Sequence, residues 1–422
     1  MLTELVWVAP FVLLLGSIAI LPLSNKSWWE KNFGFVSFGL GLVVILHYLF
    51  QVKNPHILIH TGFEYFSFIA LIGSLFVISG GIHINVKGEA TPLANSIFLL
   101  VAAFLANLMG TTGASMVFIR PWIRMNKYRL TAFHIVFFIF LVSNVGGGLT
   151  PMGDPPLFLG YLKGIPFFWV LENVLPIWVL TISLLLAIFF VLDTFNFRKA
   201  PREVQVKETG AGEKWKFLGI RNVFFLCMII GAVFVNHPPF LREAIMISAA
   251  VLSYKTTKKD VHESNDFNFG PIKEVAILFV GIFATMIPAL EWLEHYAPKL
   301  GINTPGQFFW GSGILSSVLD NAPTYLNFLS AATGLFHYTD SSVADPVSML
   351  LANHSHYIRA ISVGSVFFGA VTYIGNGPNF LVKSIADQSK VKTPSFFGYF
   401  FNYSLPVLIP IFFLVWLLFF RT

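Results

Sequence analysis

The sequence predicts an all-α polytopic membrane protein of about ten transmembrane helices in two inverted repeats, each with a re-entrant hairpin and a broken helix. Three observations predict this. The 422 residues are 55% hydrophobic and only 11% charged, where a soluble domain carries about 25% charged residues. Charge-free runs such as Leu5–Asn25, Tyr65–Val86 and Thr393–Phe420 reach or exceed the ~20 residues that cross a ~30 Å hydrocarbon layer. Apolar runs also break at matching places into clusters of Gly, Pro and Asp, above all in "SNVGGGLTPMGDPPLFLG" at 143–160.

The first run lacks a basic leader and carries Glu4, so it reads as a span over 4–22 and not as a cleaved signal. Spans at 34–52 and 63–84 follow, then a hairpin at 92–123 whose polar tip is "GTTGAS". A broken span covers 130–163, and a further span 168–193. The polar segment 194–218 is the one linker, and it separates a first repeat, 1–193, from a second, 219–422. The second half reads as spans at 219–236, 241–255 and 271–292, a hairpin at 303–336 with the tip "LDNAPT", a broken span at 357–388 and a last span at 400–421. The legs of the second hairpin are roughly 12–16 residues, or about 18–24 Å at 1.5 Å per residue, too short to cross. Hairpins that dip in and return fit better than two spans.

"LTPMGDPPLF" (149–158) aligns with "VTYIGNGPNF" (371–380) at an offset of 222, and "TTGAS" (111–115) with "DNAPT" (320–324) at an offset of 209. Each half has an odd number of spans, so the second sits upside down relative to the first. Paired broken helices in inverted repeats are an architecture of secondary transporters. With both termini outside and 194–218 in the cytoplasm, 21 of the 27 Lys and Arg fall inside and 6 outside, which selects this threading over its mirror image and suits the inner cell membrane.

Gly146–Gly148 hold a helix poorly, Pro151, Pro155 and Pro156 remove amide donors, and Pro155 or Pro156 can restart the helix. Unwound backbone at membrane depth is tolerated where it is buried in protein or lines a cavity, which points to a binding site. Asp154 in the first break and Asp320 at the second tip are the two acids placed within the membrane; such residues line pathways, although both also occupy plausible cap positions. Thr111, Thr112, Ser115, Asn144, Thr150, Asn321, Thr324, Thr372, Asn376 and Asn379 supply neutral oxygens around them. Carboxylates with neutral oxygens suit a hard cation such as Na⁺, with Asp154 and Asp320 as its charged ligands, and the same carboxylates can take up a proton. No cofactor is expected beyond Na⁺ as transported or coupling ion.

The remaining motifs have plainer readings. Cys227 is a lipid- or core-facing residue. His47 and His134 are satisfied or interfacial histidines, Lys383 reaches the inner surface, and "RPWIRMNKYR" (120–129) is an inside anchor. No zinc spacing, phosphate loop or nucleophile triad indicates an enzyme, and the basic residues report membrane orientation, not nucleic acid.

"SNVGGGLTPMGDPPLF", "LDNAPTY" and "YIGNGPNF" resemble the ion transporter superfamily, closest to the branch labelled NhaD-type sodium/proton antiporter or citrate transporter. The resemblance implies two inverted repeats and a possible homodimer. Dicarboxylate carriers of the superfamily have Ser-Asn-Thr at both tips, where this chain has "TTGAS" and "DNAPT". NhaD-type antiporters have Ala-Trp after Gly-Gly, where this chain has Gly-Leu, and it adds Pro-Pro after Asp154. A carboxylate from each half repels a di- or tricarboxylate unless a cation screens it, so sodium/proton exchange is the first expectation. A sodium- or proton-coupled carrier of citrate, dicarboxylate or another anion is the alternative. The expected partners are the lipid bilayer with Na⁺ and H⁺, or a small organic anion.

Overall fold

A computed structural model describes residues 2–85, 90–209, 216–235, 237–336 and 345–421. Lys87 and Lys214, counted for orientation, lie outside the described residues. The protein is a polytopic membrane protein of α-helices. Seven helices among the described residues are long and apolar enough to cross a membrane, and shorter apolar helices lie between them.

The chain opens with α1 (Leu2–Ser24), α2 (Lys26–His47, continued by a wider turn to Val52) and α3 (Pro55–Gly80). Pro55 at the first position starts α3 eight residues before the predicted span. The short strand β1 (His83–Asn85) follows, then the helical hairpin α4 (Pro92–Met109) and α5 (Thr111–Met125). Their joint is Gly110, whose φ of 77° suits glycine. α4 has 18 residues, about 27 Å at 1.5 Å each, so the first leg is longer than the legs estimated for the second hairpin.

The predicted broken span is α6 (Ala132–Leu141), an irregular stretch over 142–154, and α7 (Pro155–Leu162). Pro155 restarts the helix. The long α8 (Phe167–Lys199) runs past its predicted end at 193. The linker is more ordered than its polarity suggests. It contains α9 (Arg202–Thr209) and β2 (Lys216–Leu218), and β2 pairs antiparallel with β1. This three-residue pairing is a small addition to an architecture that is all-α, as predicted. Polar segments carry no hydrophobic period, and the pairing partner lies more than a hundred residues away.

The second half contains α10 (Arg221–Val233), α11 (Leu241–Thr256), the short α12 (Lys259–Ser264) and α13 (Gly270–Tyr296). A second helical hairpin, α14 (Pro305–Ser316) and α15 (Asn321–Leu335), precedes α16 (Pro346–Phe367). α16 begins eleven residues before the predicted span and is kinked at His354. After a second irregular stretch, α17 (Gly377–Gln388) leads to α18 (Phe396–Tyr399) and α19 (Ile409–Phe419), joined through a wide-turn segment containing Pro406.

Close helix contacts use small residues, as expected where lipid supplies no hydrophobic drive between helices. Gly41 of α2 faces Gly281 of α13, and Ser37 donates to the Ile277 carbonyl at 2.8 Å. Around α6 the packing is aromatic, with Trp122, Phe137 and Phe189 fully buried.

A polar cluster ties the first hairpin to α8. Asp193 is fully buried and pairs with Arg129, whose guanidinium also donates to the Ala90 carbonyl. Asn95 Nδ2 donates to Asp193 Oδ2 at 2.8 Å, and His134 Nε2 lies 3.1 Å from Asp193 Oδ1. The Thr131 amide donates to His134 Nδ1 at 3.2 Å, which assigns the ring proton to Nε2. His134 is thus a satisfied histidine, as predicted, and it lies in the core. Arg129 corrects the surface-anchor reading of its motif, because its charge is balanced by an acid 64 positions further on.

Removing one partner of a buried ion pair leaves the other charge uncompensated, at a cost of roughly 3–5 kcal/mol. Asp193→Ala should therefore sharply lower the melting temperature of the detergent-solubilised protein. The double substitution Arg129→Met, Asp193→Leu should recover most of that loss. An unchanged melting temperature in Asp193→Ala would contradict this role.

Candidate functional site

The two irregular stretches and the two hairpin joints come together in the interior. In the first stretch Gly147 and Gly153 touch: a Cβ built on Gly153 would sit 2.1 Å from the Gly147 carbonyl oxygen. The second repeats the contact 222 positions later, where a Cβ on Gly375 would sit 2.7 Å from the Gly369 oxygen. The threonines behave alike at the same offset. Thr150 Oγ1 donates to the Asn107 carbonyl and Thr372 Oγ1 to the Ser317 carbonyl, each at 2.5 Å. Each stretch is thus folded onto the turn end of its own hairpin.

Asp154 is the centre of the site and is 1% exposed. Its Oδ1 accepts from Thr111 Oγ1 at 2.7 Å and from Asn376 Nδ2 at 3.2 Å, and its Oδ2 accepts from Asn321 Nδ2 at 3.0 Å. These partners come from the first hairpin, the second irregular stretch and the second hairpin. Four helix N-termini meet here: Thr111 opens α5, Asp154 precedes α7, Asn321 opens α15 and Asn376 precedes α17. The positive ends of their dipoles converge on the carboxylate. Asp154 does not cap α7 with its own side chain, so its oxygens are committed across the site and not along its own helix.

Asp320 differs. Its carboxylate accepts from the Ala322 amide at 3.1 Å and caps α15. It is half-buried and within electrostatic reach of Asp154.

A second layer extends the site. Asn144 Nδ2 donates to Asn379 Oδ1 at 2.7 Å, Asn376 Nδ2 reaches Asn144 Oδ1 at 3.2 Å, and Asn379 Nδ2 donates to the Gly369 and Thr372 carbonyls. Ser115 and Ser143 hydroxyls share a hydrogen bond of 2.8 Å. Thr324 donates to the Asp320 carbonyl at 3.0 Å on its own helix. Thr112 contacts neither carboxylate through a hydrogen bond, but it lines a cavity of about 30 Å³ beside Asp154, together with Thr111, Leu75 and Phe76. Thr150 is turned toward the hairpin leg and away from Asp154.

Several contributors were not singled out from the sequence. Asn107 accepts the Leu149 amide at 2.9 Å and so fixes the first irregular stretch. Ser316 donates to Asn321 Oδ1 at 2.6 Å and thereby orients the amide that serves Asp154. A polar side chain inside an apolar hairpin leg was the available signal. Two buried acids were also missed, Asp193 and Glu243, because both sit near span ends where acids are ordinarily solvated.

The glycine contact gives a direct test. Gly153→Ala should prevent the first stretch from closing and yield destabilised or aggregated protein by size-exclusion chromatography. Gly377→Ala, where nothing lies within 4 Å of the added methyl, should behave as the parent. A well-folded Gly153→Ala protein would show that the close approach is dispensable.

No curated protein matches the chain. A family profile described as "Putative citrate transport" matches residues 2–420, nearly the whole sequence. A buried carboxylate held between helix N-termini, in a polytopic helical protein, suits a secondary transporter, and the chain belongs to this citrate-transport family.

Proposed function

We propose that the protein is a secondary transporter of a citrate-class carboxylate, coupled to a proton or Na⁺ taken up at Asp154. The observation that carries this is the hydrogen bond between Asp154 and Asn376, the two positions that the sequence alignment pairs at an offset of 222. In an inverted repeat, equivalent positions can touch only beside the pseudo-two-fold axis, where carriers of this kind bind their substrates. This supports the division into repeats 1–193 and 219–422, with hairpins that enter and return.

The donor set fits both partners of such a cycle. Helix N-termini, amides and hydroxyls can receive a substrate carboxylate. An asparagine that turns its amide presents an oxygen instead, so Asn321 and Asn376 with Asp154 could also surround a small cation. The cavity of about 30 Å³ beside Asp154 has room for a water-sized guest. A tricarboxylate therefore requires another arrangement of these elements, as alternating access demands.

Sodium/proton exchange without an organic substrate is the second reading. It is favoured by the absence, among the described residues, of any basic side chain hydrogen-bonded to Asp154. Charge alone ranks exchange first, and membership of the citrate-transport family ranks the carboxylate first.

Purified protein in proteoliposomes separates the readings. Labelled citrate uptake driven by an inward proton or Na⁺ gradient is expected. Na⁺-induced proton movement without citrate uptake would establish the exchanger instead. Asp154→Asn should abolish coupled transport while keeping the parental melting temperature, and Asp320→Asn should be milder because asparagine keeps the cap. Full coupled transport by Asp154→Asn would refute the site. If protons and Na⁺ compete at Asp154, lowering the external pH should weaken any dependence on Na⁺.

The 21 to 6 split of Lys and Arg supports a threading in the inner cell membrane with both termini outside and 194–218 in the cytoplasm. Single-cysteine labelling after replacement of Cys227 should mark position 205 from inside and position 2 from outside, and the reverse pattern would overturn this orientation.

A further inference from the structure

A second cavity, larger than the one at Asp154, lies elsewhere in the protein. About 540 Å³ of space lies between α3, α7 and the segment joining α10 to α11, a size within the roughly 300–1,000 Å³ of small-molecule sites. Its wall includes Ser67, Tyr161, Pro238, Phe240, Arg242 and Glu243. Glu243 is 3% exposed, although it lies in the first turn of α11. Arg242 Nε donates to Glu243 Oε1 at 2.9 Å and one Nη lies 2.8 Å from the same oxygen. Ser67 Oγ donates to Glu243 Oε1 at 2.7 Å. The other Nη of Arg242 has no protein partner among the described residues, and its side chain keeps 16% exposure.

An ion pair that served only to pin α11 to α3 would be packed over. Here the guanidinium keeps some exposure beside a cavity large enough for an organic anion, with the buried Glu243 carboxylate bonded to it. The glutamate engages one edge of the guanidinium and holds it in place, leaving donors free for a planar carboxylate, the ligand that arginine fits best.

The position of this cavity matters as much as its chemistry. α3 lends Phe63 and Ser67 to it, and one turn further on lends Leu71 and Leu75 to the small cavity beside Asp154. α7 lends Tyr161 to the first and Phe158 and Pro155 to the second. Four residues of helix are about 6 Å, so the two cavities lie about one turn apart along both of their shared walls.

We infer that this cavity is a capture site for the carboxylate substrate, with Arg242 as the residue that binds one substrate carboxylate before the substrate passes to Asp154. The inference rests on the carboxylate reading above. Initial rates of labelled citrate uptake by the full chain in proteoliposomes test it. Arg242→Gln should raise KM by about tenfold or more, as expected for loss of a charge-assisted contact, with Vmax within about twofold of the parent. Arg242→Lys should fall between them, since lysine keeps the charge without the planar fork. Glu243→Gln should leave KM within about twofold of the parental value, because the glutamine oxygen can still accept from the guanidinium and hold it in place. A purely structural ion pair predicts instead that Arg242→Gln and Glu243→Gln lower Vmax alike with KM unchanged, and that result, or a parental KM in Arg242→Gln, overturns the capture site. A parent that takes up no citrate overturns the carboxylate reading itself, which distinguishes the two failures.

Discussion

Backbone polar groups at membrane depth must find partners within the protein, and the rest of this structure depends on that constraint. The irregular stretch over 142–154 and its counterpart over 368–376 interrupt helices in the interior. The protein satisfies them with side chains and with the hairpins. The Thr111 amide donates to the Gly153 carbonyl at 2.8 Å, Trp178 Nε1 to the Gly146 carbonyl, and Thr372 Oγ1 accepts the Ile374 and Gly375 amides. Each helical hairpin is therefore tied by hydrogen bonds to the irregular stretch that follows it.

The same constraint creates the electrostatics of the site. A helix that restarts inside the protein leaves its first amides pointing at whatever lies before it. Four such restarts aimed at one place make a region of positive potential without a basic side chain. Asp154 supplies the countercharge from within the chain. A titratable carboxylate there can be neutralised by a proton or accompanied by a cation, and each changes how the surrounding dipoles would receive an anion. Coupling between cation and carboxylate would then follow from charge balance in a low-dielectric setting.

Rigid support lies around this centre. Asp193, Arg129, His134 and Asn95 fasten the first hairpin to α8, while Ser37 and Gly281 let α2 and α13 approach closely. The larger cavity near Arg242 lies between α7 on one side and α11 on the other. A movement of α3 or α7 would act on this cavity and on the surroundings of Asp154 together, because these helices line both.

The sequence by itself determined the membrane class, the positions of the two irregular stretches and hairpin joints, and the pair of acids from which the central carboxylate comes. These are written in local chemistry: charge-free length, glycine and proline where helices cannot continue, and an acid where hydrocarbon would exclude one. It could not decide which polar residues meet. Asn321 and Asn376 reach Asp154 across 167 and 222 positions, whereas Thr150, from the same motif as Asp154, turns to Asn107. Nor could it separate the two acids, since Asp154 spans the site while Asp320 caps its own helix. Asp193 and Glu243 read as ordinary span-end acids until packing buried them. Only the tertiary structure settled these roles, because hydrogen-bond partnership depends on which helix ends meet in space, and local sequence fixes where each helix ends but not what its end will face.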